Sequence, residues 1–142
     1  MTKRRVSTAE YQRLLEVRTG LRRFLHWSEE RAREVGLTPA QHQLLLAIRG
    51  HPGPAEPTIG DLADHLFLQH HSAVQLVDRA EAAGLLVRSR DPDDHRRVHV
   101  ALTAEGNRIL ESLSAQHLEE LERVGLSLGE ISVRSPGDPP PA

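Results

Sequence analysis

Cysteine is missing from this chain, which excludes disulfides, thiolate catalysis and thiol-based redox sensing. Aromatic residues are scarce: Tyr11, Phe24, Trp27 and Phe67 are the only four. The core must then be Leu, Val, Ala and Ile, a palette that suits packed helices. Lysine occurs once, as Lys3, so 17 of the 18 basic residues are Arg. Neither sign of charge dominates. A formal net charge of −2 gives weak bulk attraction for a polyanion, so any anionic partner must meet a local patch. No apolar run reaches the ~18 residues of a membrane span. The Arg-rich start has no apolar stretch of the secretory kind. A soluble, cytoplasmic chain is therefore expected, with one domain and an element that packs against a second copy. It has no nucleophile elbow, no phosphate-cradling glycine loop and no paired-carboxylate pattern, so neither catalytic residues nor a cofactor are expected.

What is present is mostly helical punctuation. Ser7-Thr8-Ala9-Glu10 is a capping box, followed by a stripe of Leu14, Leu21, Leu25 and Ala32 that Gly36 closes. Thr38-Pro39-Ala40-Gln41 is a second start signal, opening a short helix that ends at Gly50. Residues 51–57, rich in proline and glycine, form a loop. Thr58 opens a third helix with Ile59, Leu62, Ala63 and Leu66 on one face. A tight connection around Phe67 to Gln69 leads to a fourth helix over 70–83, with Ala73, Leu76, Val77 and Ala80 inward and Gly84 just past its end. The period then switches to two over 85–90 and 98–102, with a polar hairpin loop at 91–97. A long helix follows from Thr103 to Val124, its apolar side including Ile109, Leu110, Leu113, His117, Leu118 and Leu121. From Gly125 the pattern decays, and 134–142 reads as a disordered tail.

The expected fold is mainly α with a small two- to three-stranded β-wing: a winged helix-turn-helix flanked by N- and C-terminal dimerisation helices. Its parts are an N-terminal helix within 1–36, a lobe over 37–102, a C-terminal helix within 103–133 and the tail. Within the lobe, 70–83 is the recognition helix and 85–102 the wing. The second helix of such a pair enters the major groove of duplex DNA while the first braces it across the backbone. The candidate DNA-facing residues of that helix are His70, His71, Ser72, Gln75 and Arg79. Gln can pair with adenine in a bidentate way, and a Ser hydroxyl suits base or phosphate. On the hairpin the candidates are Arg88, Arg90, Asp94, Arg96 and Arg97, because a narrow minor groove attracts Arg. Taken alone, each set also describes a solvated helix face or a plain turn. Their joint order favours DNA.

Asp94-His95-Arg96, five residues, then Leu102-Thr103-Ala104-Glu105-Gly106 resembles the wing-to-helix signature D-x-R-x5-L-T-x-x-G of MarR-type (multiple antibiotic resistance) regulators. Leu37-Thr38-Pro39-Ala40-Gln41, Ile59-Gly60-Asp61-Leu62-Ala63 and Leu76-Val77-Asp78-Arg79 through Gly84-Leu85 are similar to that family's second, third and recognition helices. The resemblance spans roughly 10–124. It implies a homodimer that binds double-stranded DNA at pseudo-palindromic operators and usually represses, with Arg96 in the minor groove and Asp94 orienting it. Phe67 stands where such proteins often have glycine, Gln69 where they often have a Ser or Thr cap, and Ala80 where Leu is usual. An apolar final helix is not evident after Val124.

Family members of this type often release DNA on binding a small aromatic anion between the dimerisation helices and the lobe. His26, Trp27, Arg31 and His42 are the candidates for that effector site: Trp27 stacks a ring and Arg31 pairs a carboxylate. The plainer alternative makes Trp27 a cover for the dimer core. A metal-responsive regulator is a further alternative, given nine histidines, with His42 and His117 able to meet in space. No metal ligands are assigned, because zinc needs three or four converging ligands and the adjacent His70 and His71 diverge on a helix. A winged-helix module that binds protein instead of DNA is the other class, favoured by the acids that offset the wing arginines.

Overall fold

The computed structural model describes residues 3–125, so the expected tail at 134–142 and the segment 126–133 lie outside the described residues. Five helices and one hairpin follow in order: α1 (Thr8–Glu34), α2 (Pro39–Arg49), α3 (Ile59–Leu66), α4 (His70–Ala82), β1 (Leu86–Arg90), β2 (Val98–Leu102) and α5 (Ala104–Val124). The mainly helical architecture with a small wing is what the sequence leads one to expect.

Three helices start with full capping boxes, in which a hydroxyl accepts from the N3 amide and the N3 side chain accepts from the cap amide. The pairs are Ser7–Glu10, Thr38–Gln41 and Thr58–Asp61. Gln69, at the start of α4, makes no such side-chain bond. Three helices also end alike. The amide after the left-handed residue reaches back five positions: Leu37 to Ala32, Leu68 to Ala63, and Leu85 to Ala80. The left-handed residue is Gly36 in the first and Gly84 in the third, but Phe67 (φ 54°) in the second.

The core is aliphatic. Leu44, Leu45, Leu62, Val77, Leu86, Val100 and Leu113 are fully buried, drawn from α2, α3, α4, both strands and α5. Ala73 and Ala80 are buried on α4, small enough to bring α3 and α4 together. From α1 only Ala32 is fully buried; the helix projects from the lobe, and Tyr11, Leu14, Leu15 and Leu25 are exposed on it.

β1 and β2 pair antiparallel in the register Leu86↔Leu102 through Arg90↔Val98. Thr58 adds an isolated bridge to His99, and the Val100 amide donates to the Pro57 carbonyl at 2.9 Å. The 51–57 loop thus ends as a third-strand stub beside β2. The wing hands over to α5 through Thr103, whose amide donates to Leu85 O and whose hydroxyl donates to Gly84 O (2.7 Å) while accepting from the Gly106 amide (3.0 Å). A Cβ on Gly106 would sit 2.0 Å from the Leu85 carbonyl oxygen. The L-T-x-x-G motif is therefore a close crossing of α5 over the α4–β1 connection at Leu85, possible only without a side chain.

Candidate nucleic-acid interface

α4 carries its polar residues outward because its inward stripe is Ala73, Val77 and Ala80. His71, Gln75, Asp78 and Arg79 recur at helical spacing on the exposed side, and Ser72 is half-buried at its margin. His70, exposed at the first turn, borders a crevice of about 190 Å³ that it shares with Thr58, Ile59, Gly60, Arg96, Arg97 and Val98. The recognition-helix start and the two hairpin arginines therefore open on one recess, although 25 residues separate them in sequence.

The hairpin is shaped by its own acids. Asp91 Oδ1 accepts from the amides of Asp93 (2.8 Å) and Asp94 (3.1 Å), an Asx turn. Asp94 Oδ1 accepts from the Arg96 amide (3.1 Å) and from its Nε (3.3 Å). The Arg96 side chain is 92% exposed, so Asp94 fixes its base while the guanidinium stands in solvent. Acids that offset the arginines in a charge count thus serve the loop's backbone. Arg90 and Arg97 are exposed beside it.

Arg88 is placed differently. Its guanidinium meets Asp78 (2.6 Å) and Glu81 (2.9 Å) on α4, and its amide donates to Glu81. Its charge is balanced by two carboxylates, and the hydrogen bond from Arg88 holds the Glu81 carboxyl below its ordinary range. The contact ties the hairpin to α4.

His99 lies at the wing's base with a side chain only 16% exposed. Its Nδ1 is 2.8 Å from the Glu56 carbonyl oxygen and its Nε2 is 2.7 Å from Asp91 Oδ2. Those two bonds, that to Asp91 first, raise its pKa. The same bond and the amides of Asp93 and Asp94 hold Asp91 down at about 2.

A second constellation sits where α1, α2 and α5 meet. Trp27 and His42 both lie 4.8 Å, centroid to centroid, from the His117 ring, and Phe24 stacks on Trp27. His117 Nδ1 donates to Leu113 O (2.7 Å), so in the neutral ring Nε2 accepts from the Ser28 hydroxyl (2.6 Å). Burial, then the neighbouring His117, pushes His42 down to about 4, so it is neutral at pH 7. Arg31 lies over Trp27 at 5.9 Å and pairs with Glu34 at 2.8 Å, yet its buried Nε has no partner among the described residues. Of the four effector-site candidates, Trp27, Arg31 and His42 converge here. His26 does not; it is 72% exposed and pairs with Glu30 at 3.0 Å. His117, Ser28 and Phe24 join the cluster, and of these the sequence pattern marks only His117. Among the described residues no three His, Asp or Glu side chains are grouped to hold a metal.

The model of the family described as "MarR family" matches residues 35–97, from the end of α1 to the second hairpin arginine. The HTH-type transcriptional regulator FarR of Neisseria gonorrhoeae is 33% identical over 69 residues, 49% of this chain and 47% of FarR. The chain thus spans about half the length of that curated relative. The fold extends further. The crystal structure of AbsC, a MarR family transcriptional regulator from Streptomyces coelicolor, superposes with a TM-score of 0.73 at 20% identity, over 91% of this chain and 88% of AbsC. A mutant of MepR from S. aureus, solved bound to an oligodeoxyribonucleotide, superposes with a TM-score of 0.63 at 21% identity over 88% of each chain. The lobe is thus matched by the MarR family's own model, and the fold of the wider chain, α1 and α5 included, by solved MarR family structures.

Proposed function

We propose that this chain is a transcriptional regulator without catalytic activity that binds a pseudo-palindromic operator as a homodimer, usually to repress. The recess shared by His70, Arg96 and Arg97 carries the reading, because it sets the start of α4 and the wing side by side. With α4 in the major groove, His71, Gln75 and Arg79 face base edges and Arg96 reaches the adjacent minor groove. MepR, whose fold this chain shares, was solved with DNA bound. The second copy is supported by the apolar residues left exposed on α1 and α5, among them Tyr11, Leu14, Leu25, Leu118 and Val124. An effector reading rests on the inner cluster: a flat aromatic anion would stack on Trp27 and direct its carboxylate to Arg31, whose buried Nε lacks a partner among the described residues.

The test is selection from random duplexes with the purified full chain, followed by a salt titration. The expected product is a two-fold symmetric site with half-sites about 34–36 Å apart and a steep log–log salt slope. A winged-helix module for protein partners would enrich no sequence and show no such slope, and that outcome would overturn the reading.

A further inference from the structure

His99 bonds to two groups that can only accept. The Glu56 carbonyl has no proton to give, and Asp91 is ionised because its other oxygen receives the Asp93 and Asp94 amides. A neutral imidazole has one N–H. In either tautomer it would turn a lone pair on the second acceptor, at 2.8 Å from a carbonyl or 2.7 Å from a carboxylate. Both bonds are made only by the imidazolium.

The three groups come from three segments: Glu56 from the loop that ends beside β2, His99 from β2, and Asp91 from the head of the hairpin. Asp91 also continues the chain of bonds. Its Oδ1 holds the Asp94 amide, and Asp94 holds Arg96. The backbone closes the hairpin through the Asp91 amide on Arg97 O (2.9 Å) and the Arg97 amide on Asp94 O (3.0 Å). We propose that His99 is a positioning residue for the wing: as an imidazolium it clamps the 51–57 loop and the hairpin head to β2, sets Arg96 for its groove, and makes DNA binding weaken as pH rises.

The sign follows from the geometry and agrees with the raised pKa of His99. A group protonated more readily when folded contributes its stabilisation fully below its unfolded pKa, and loses it as pH rises through the folded value. The charged groups acting on His99 are Asp91, which favours the proton, and Arg97, which opposes it. Asp61 on α3 lies near Arg97 in turn. The other histidines of the interface, His70, His71 and His95, are exposed and carry no such clamp among the described residues. The test must separate them.

This inference rests on the DNA-binding reading, so the experiment has one arm without DNA. In the full-length protein, side-chain nitrogen NMR of His99 at pH 7 should show both nitrogens protonated, and the Asp93 and Asp94 amides should lose exchange protection as His99 titrates. A single neutral tautomer, or amides indifferent to that titration, overturns the clamp. In the second arm the selected duplex is titrated at constant ionic strength between about pH 6.5 and 8.5, where wild-type affinity should fall about ten-fold. His99→Gln should bind at the weak level throughout, with a shallower pH dependence than wild type. Identical wild-type and His99→Gln pH profiles would assign the dependence to groups other than His99 and overturn the proposal. Loss of duplex binding by every form at every pH would instead count against the DNA-binding reading, with the NMR arm still deciding the clamp.

Discussion

Phe67 occupies a backbone position that glycine fills in two equivalent helix ends of this chain, and it gains no burial by doing so. It is the only described non-glycine residue with positive φ (54°), and it is 97% exposed. A left-handed conformation costs an L-residue about 1–2 kcal/mol, and no packing offsets it here. Phe67→Gly should therefore raise stability by about 1 kcal/mol, or about 3 °C in Tm, as read by thermal unfolding. An unchanged or lower Tm would show that the ring is held by something other than solvent. Arg96 is the opposite case, a residue with little structural duty. Its side chain is 92% exposed and pairs with Asp94. Arg96→Ala should leave Tm within experimental scatter, weaken duplex binding and shallow the salt slope by about one unit. Unchanged affinity would remove the wing from the interface. The Asp94–Arg96 pair is legible in the sequence because two residues of a turn cannot be far apart. Arg88 is not, because its partners Asp78 and Glu81 become neighbours only when the Gly84 turn folds β1 back along α4.

At the scale of elements, most boundaries were legible because they are written as local chemistry. A hydroxyl three residues before Glu, Gln or Asp marks the starts of α1, α2 and α3, and glycine marks the ends of α1 and α4. Long-range bonds were not, since nothing local links Glu56 to His99, 43 positions apart. The same holds for the inner cluster, where Ser28 and His117 meet across 89 positions. The wing-to-helix junction is intermediate: the motif is visible, but its reason appears only in three dimensions. Gly106 passes so close to the Leu85 carbonyl that a methyl group there would lie 2.0 Å away, and that neighbour is backbone and cannot rotate aside. Gly106→Ala should therefore force α5 off the backbone at Leu85, at a cost of about 3 kcal/mol. Chemical denaturation checks it, and a loss below about 1 kcal/mol would mean that the crossing relaxes freely.

For the whole molecule, α1 decides whether one chain is enough. A helix of 27 residues is about 40 Å long, yet only Ala32 on it is fully buried. Helical stability in water comes mainly from packing an apolar face, so a helix this exposed calls for a partner. α5 shows the same deficit where Leu118, next to the cluster at His117, is 68% exposed. A second copy placed against both helices would bury these side chains, each apolar group contributing about 25 cal/mol per Å² removed from water. Leu118→Glu sets a charge on that surface without disturbing the lobe's core, since Leu44, Leu62, Val77 and Val100 are untouched. The expected result is a shift from dimer to monomer in sedimentation at micromolar concentration, with the lobe's helical signal retained. Duplex affinity should fall far more than for Arg96→Ala, because one lobe then holds one half-site. A Leu118→Glu protein that stays dimeric and binds the selected site normally would move the dimer interface away from α5, and Leu14→Glu on α1 would then be the variant that breaks it.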